Sequence, residues 1–226
     1  MNPAILLALI LSFAHYFSEL FIDFLDRFHN KLLSFSAGFF IAFIFLELFP
    51  DLIKGYEHIN IFLLVLLGFT IFHLLEKYVY QHIKDKKKQL KNLKELYMAG
   101  FFIDHFIIGF VLILTLKIPG FTSLIVFIPF ALHTISSSIT LESLHVASKS
   151  KINKIILSSS TFIGALVALF ISPFSSLYYG LFALFLGALF YVAVRDVLPK
   201  KGTGSPLYFA LGVFVDFTLL FFASIL

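Results

Sequence analysis

Apolar residues run through this chain in long blocks, without the period-two alternation of half-buried strands. Eight blocks reach the roughly 20 residues that a helix needs to cross a hydrocarbon layer. They cover 3–25, 32–53, 59–80, 97–116, 122–145, 152–172, 176–198 and 206–226. Each predicts a membrane-spanning helix. The breaks between them carry turn chemistry: Arg27–Lys31, Pro50–Asn60, Lys117–Gly120, a turn at Pro173, and the Gly- and Lys-rich stretch Lys200–Pro206. The interval 81–96 (QHIKDKKKQLKNLKEL) is the one sizeable polar segment and is expected as a soluble, Lys-rich loop. The first block lacks a basic start and a small-residue cleavage site, so it is expected to be retained, not removed as a signal peptide.

Composition agrees with this pattern. The chain is 60% hydrophobic and 13% charged, where soluble domains are about a quarter charged. Mean hydropathy is +0.99. These values predict an integral, multi-pass membrane protein. Cys is absent, which excludes disulfides, iron–sulfur clusters and thiolate metal sites. The net charge of +4 comes from Lys and Arg clustered in short connections, so it points to topology and not to a nucleic-acid partner. If eight spans alternate with the N-terminus outside, 15 of the 17 basic residues fall on the inner side and only Lys54 and Lys117 outside. The positive-inside rule favours that orientation and places both termini outside the cytoplasm. The lysines of 81–96 suit a solvated topogenic loop, with contact to anionic lipid headgroups as the alternative.

Spans two and seven share a pattern. Gly38 is followed at the same offsets by Glu47 and Pro50, as Gly187 is by Asp196 and Pro199. The two spans cross in opposite directions in this topology, which is the signature of an inverted repeat in secondary transporters. The expected layout is 3+2+3: residues 1–80 as a first three-helix repeat, the loop 81–96, a central pair in 97–148, and 149–226 as the second repeat.

Ionisable groups inside apolar spans cost roughly 3 kcal/mol each at the bilayer centre and therefore mark function. Span five carries His133, Ser136, Ser137 and Thr140 on one helical face, a stripe that must face other helices or water. Span four carries Asp104 and His105. Carboxylate oxygen and imidazole nitrogen suit zinc, iron or manganese, so Asp104 and His133 are either two ligands of a divalent cation or a structural ion pair. Glu47 and Asp196 are expected beside them. His15, Glu19, Asp23 and Asp26 share a face of span one and could line an aqueous path. The pairs His73/Glu76 and Glu142/His145 are either exit ligands or snorkelling interfacial groups. Asp216 stands alone in span eight.

Three stretches, GFFIAFIFLELFPDL (38–52), FHLLEKYVYQH (72–82) and GALFYVAVRDVLP (187–199), together with the span order, make the chain resemble the ZIP (Zrt/Irt-like) family of divalent-metal transporters. The resemblance implies eight helices in a 3+2+3 arrangement, both termini outside, and inward carriage of zinc, iron or manganese. The family's His-Asn-x-x-Asp/Glu-Gly motif falls on Gly100–His105, where only the acid, Asp104, is kept. Its His-x-x-Pro-Glu/His motif falls on His133–Ser137, where only His133 is kept. The resemblance therefore implies Asp104 and His133 as metal ligands, with Ser137 a weak oxygen donor in place of a carboxylate. His105 is an additional imidazole about 140° around the helix from Gly100. The expected partners are a divalent metal ion as cargo and membrane lipid, in the plasma membrane of a prokaryotic-type cell, with a homodimer allowed. No prosthetic group is expected.

Two other readings remain beside the transporter. One is a ZIP-derived scaffold or metal sensor that has lost transport, motivated by the depleted motifs. The other is an intramembrane zinc hydrolase, which needs about three protein ligands and an activated water, without an HExxH or HxxxH cluster in this chain.

Overall fold

The structure is a computed structural model, described here for residues 3–17, 28–53, 60–82, 86–115, 121–143, 151–172, 175–194 and 204–225. Those residues form eight helices and no strand. They are α1 (Pro3–Phe17), α2 (His29–Phe43, continuing through Ile44–Leu48 and Phe49–Ile53), α3 (Ile61–His82), α4 (Lys86–Thr115), α5 (Phe121–Ser143), α6 (Lys151–Ala168), α7 (Ser176–Val192) and α8 (Pro206–Ile225). One of them, over Asn30–Ile53, is long and apolar enough to cross a membrane by length and composition. The all-helical expectation is met.

The expected loop at 81–96 is corrected. Residues from Lys86 onward are helical and continue into α4, which is 30 residues long. Lys, Gln, Leu and Glu are all good helix formers, so polarity there reports solvent exposure and not a break in the helix. Lys91 and Glu95 face each other at 3.8 Å, one turn apart and well exposed, a pair of small energetic weight.

The bundle is organised as helix pairs: α2 with α8, α4 with α6, α3 with α7, and α1 with α6, while α5 packs on α2 and α1. Glycines set three of these crossings. A Cβ on Gly38 would lie 2.0 Å from the Phe209 carbonyl oxygen, and one on Gly212 2.1 Å from that of Phe35. The pairs Gly109/Gly164 (α4/α6) and Gly68/Gly187 (α3/α7) repeat the reciprocal arrangement. Only hydrogen fits between these backbones, as in other tightly crossed apolar helices.

Contacts at two levels of each pair give its direction. The Ser34–Ser205 hydrogen bond and the Gly38–Phe209 approach both join residues 171 apart, so α2 and α8 run parallel. Val65 meets Gly187, Phe69 meets Phe190, and His73 meets Tyr191, so α3 and α7 are parallel. Ser12 meets Phe162 while Tyr16 meets Lys154, so α1 and α6 are antiparallel. Phe40 meets His133 while Phe43 meets Phe130, so α2 and α5 are antiparallel. In these four pairs, helices of like parity run together and helices of unlike parity run opposed.

Polar and apolar residues are arranged inside out. Leu63, Leu66 and Leu74 of α3, Ile152 and Ile155 of α6, and Phe214 and Phe222 of α8 are exposed. Ser36, Asp104, His105, His133, Ser160, Thr161 and Asp216 are buried. The core between them is rich in phenylalanine: Phe39, Phe40, Phe43, Phe110, Phe130 and Phe182 are fully enclosed.

The start of α8 shows how one interior hydroxyl fixes a helix. Gly204 takes φ of 86°, a left-handed turn that glycine tolerates, and Pro206 then opens the helix. The Ser205 amide donates to Ser34 Oγ at 2.8 Å, and the Ser34 hydroxyl donates to the Asn30 carbonyl at 2.7 Å. Ser34→Ala leaves the Ser205 N–H without that acceptor. The expected loss is about 1 kcal/mol, read as a lower midpoint of thermal unfolding in detergent; an unchanged midpoint would remove this contact from the account of how α8 is anchored.

Candidate functional site

The site lies where α1, α4, α5 and α2 meet. Asp104 and His105 are neighbours on α4, so their side chains leave the helix about 100° apart and reach different partners. Both are fully buried, as is His133 of α5. His133 donates from Nε2 to Asp104 Oδ2 at 2.7 Å, the short distance of a charge-assisted hydrogen bond. His105 Nδ1 lies 3.5 Å from the same carboxylate oxygen and 2.9 Å from the Phe101 carbonyl. A carbonyl only accepts, so His105 carries its proton on Nδ1 and offers the Nε2 lone pair to the Ser137 hydroxyl, 3.1 Å away. Ser137 is one turn beyond His133 and is buried. The same hydroxyl also lies 3.1 Å from the Thr134 carbonyl.

Rings close the site at both ends. His15 of α1, buried, lies tilted against His105 with ring centroids 4.4 Å and planes 32° apart. Phe40 of α2 stacks on His133 at 4.2 Å and 21°. Phe130 turns its edge to Phe40 and to Phe43. In space the order is therefore His15, His105, Asp104, His133, Phe40: three imidazoles and one carboxylate between an α1 wall and an aromatic α2 wall. Pro129 lies inside α5 one turn before His133. It has no N–H to give the carbonyl four residues earlier, which loosens the helix ladder beside the site.

The donor set is compact but not arranged around a point. Among the described residues, no three His, Asp or Glu side chains converge at metal-holding spacing. The reason is visible in the bonds: His105 and His133 both address one oxygen of Asp104, and the second nitrogen of His105 is taken up by Ser137. His133 Nδ1 has no hydrogen-bond partner among the described residues.

The other sequence candidates separate. Glu47 is half-buried in α2, seven residues beyond Phe40. Asp196, Glu19, Asp23, Asp26 and His145 lie outside the described residues. His73 is exposed, its ring 5.8 Å from Tyr191. For Thr140, Glu76 and Glu142 only the helical backbone is described. Sequence reasoning assigned His15 to a separate aqueous path, although its place on a polar face was a usable signal.

A second feature was not readable from residue types. At Ile44–Leu48 the helix widens to π geometry, and Ala193–Val194 at the end of α7 do the same. Each begins six residues after the glycine of its close crossing, Gly38 or Gly187. Such turns occur frequently at functional sites.

Comparison of the chain with family models finds no match, and comparison with curated proteins finds none either.

Proposed function

We propose that this is a multi-pass membrane protein of ZIP-like design that carries a divalent metal cation, zinc, iron or manganese, toward the cytoplasm by alternating access, in the plasma membrane of a prokaryotic-type cell. The observation that carries this reading is the Asp104–His133 bond at 2.7 Å, buried with His105 and His15 in the middle of an otherwise apolar bundle. A buried carboxylate–imidazole pair is a weak source of stability, so its position calls for a use. The alternating helix directions and the apolar exteriors of α1, α3, α6 and α8 support a bundle that crosses the bilayer eight times. The paired glycine crossings of α2/α8 and α3/α7, with π turns at the same offset in α2 and α7, support a 3+2+3 inverted repeat. The lysine-rich first turns of α4 then project on the inner side.

The geometry corresponds to a closed state. Tetrahedral zinc binds nitrogen and oxygen at about 2.0–2.2 Å, which separates two neighbouring ligand atoms by about 3.3 Å. Asp104 and His133 stand closer than that. Taking up the cation requires loss of the His133 Nε2 proton and a parting of α4 and α5 by about half an ångström. Asp104 then supplies the anionic oxygen, and His133 a neutral nitrogen. Ser137 holds the His105 ring in place beside them. The small displacement suits a carrier, whose site must also release its ion.

The test is metal influx into proteoliposomes loaded with a zinc- or manganese-sensitive dye. Asp104→Ala and His133→Ala are each expected to lower the initial rate at least tenfold. Equal rates in all three proteins reject the assignment. The closed donor set also favours a second reading, a ZIP-derived sensor or scaffold; it predicts zinc-dependent thermal stabilisation without flux.

A further inference from the structure

A groove opens on the outside of the bundle between α1 and α6. It holds about 350 Å³, within the range of clefts that take ligands. Residue size makes the hollow. Ser12 and Ser158 are small and buried and form its floor, while Leu9, Phe13 and Phe17 of α1 and Ile155 and Phe162 of α6 stand around it. Phe13, Phe17 and Ile155 are exposed, so the groove faces the surroundings of the bundle and not the Asp104–His133 centre.

The serine hydroxyls along it are engaged within the bundle. Ser12 accepts the Phe162 amide at 3.2 Å, Ser158 donates to the Ile155 carbonyl at 3.1 Å, and Ser159 donates to that of Ile156 at 3.0 Å. The lining left to an occupant is mostly hydrocarbon. A polar solute loses its water there without replacement, whereas an alkyl chain gains dispersion contacts.

One end of the groove is cationic. Tyr16 lines it, and Lys154 Nζ stands over the Tyr16 ring, 4.8 Å from the centroid. Lys151, one turn earlier on α6, is exposed. Neither α1 nor α6 contains an acidic residue. From Leu9 to Phe17 the groove follows eight residues of helix, about 12 Å, close to the roughly 15 Å hydrocarbon depth of one leaflet.

We propose that the α1/α6 groove seats one acyl chain of an anionic phospholipid, with the phosphate at Lys154 and Lys151. The inference rests on the membrane-spanning reading of the bundle and needs nothing from the metal centre. The lysine end lies on the inner side in that reading, where anionic headgroups attract lysines at the membrane surface.

The chain contains no Trp, so a single introduced indole reports its own surroundings. The experiment places the full chain in mixed vesicles of phosphatidylcholine and phosphatidylglycerol, with bromine in the acyl chains of one lipid or the other. It reads quenching of Phe13→Trp in the groove and of Leu66→Trp on the exposed face of α3. At Phe13→Trp, phosphatidylglycerol is expected to be favoured about fivefold over random mixing; at Leu66→Trp the two lipids quench alike. Lys151→Gln with Lys154→Gln removes the preference. Ser159→Leu, which fills the groove from a half-buried position, lowers quenching at Phe13→Trp by both lipids. Equal quenching by the two lipids at Phe13→Trp, as neutralisation of the lysines by Glu19 would produce, overturns the proposal. A preference that survives the double lysine substitution overturns it as well. Absence of quenching at both tryptophans removes the membrane-spanning reading and this seat with it, whereas failure of metal influx through Asp104 and His133 leaves the lipid seat standing.

Discussion

Gly109→Ala unfolds in detergent at a markedly lower temperature than the wild type, with a stability loss of about 3 kcal/mol. The added Cβ would stand 1.7 Å from the Thr161 carbonyl oxygen of α6, and that atom is backbone, so no side chain can swing aside. The helices must separate at the crossing, and every van der Waals contact along α4 and α6 weakens with them. Gly164→Ala, whose Cβ would meet the Phe106 carbonyl at 1.9 Å, has the same effect. The two substitutions are not additive, because one separation relieves both clashes. The double variant is therefore expected to lose clearly less than the sum of the singles. Full additivity, or a loss under about 0.5 kcal/mol in either single variant, contradicts the close crossing. Movement of α4 also displaces Asp104 and His105, so metal influx falls with stability in the same variants.

The second large effect concerns the pair itself. His133→Ala is expected to cost about 3–5 kcal/mol, because it removes the main partner of a buried carboxylate and also the ring stacked on Phe40. Asp104→Ala costs less, about 1–3 kcal/mol, since the imidazole it abandons can remain neutral with one unpaired N–H. A double-mutant cycle by denaturant unfolding in mixed micelles should give a coupling of about 1–3 kcal/mol. Coupling near zero would show that the 2.7 Å contact contributes nothing to folding. Because this readout is stability, it stays informative even where influx in both variants is already abolished.

Much of the helix content was legible in advance. Blocks of about 20 apolar residues admit few structures other than helices, and all eight appear. The miss at 81–96 has a simple cause: hydropathy reports which solvent a segment prefers, while helix propensity is nearly indifferent to it. Lys86–Leu96 is polar and helical at once. Asp104, His105, His133 and Ser137 were also legible as candidates, since polar side chains in apolar runs are conspicuous. Their places on neighbouring helices suggest that Asp104 and His133 lie close, and the structure puts them in contact.

What residue types left open was company. His15 was visible, and so were Phe40 and His133, but nothing local pairs His15 with His105 or Phe40 with His133. Those meetings depend on which helices cross and at what rotation. The sequence by itself determined eight helices and which groups must leave the lipid face, because periodicity and transfer energy act over a few residues. Only the tertiary structure decided that α2 lies along α8 with a 171-residue offset, that α1 brings a third imidazole to the centre, and that two helices widen six residues past a glycine. Those outcomes rest on close packing between backbones far apart in the chain, where a single hydrogen in place of a side chain sets how near two helices can come.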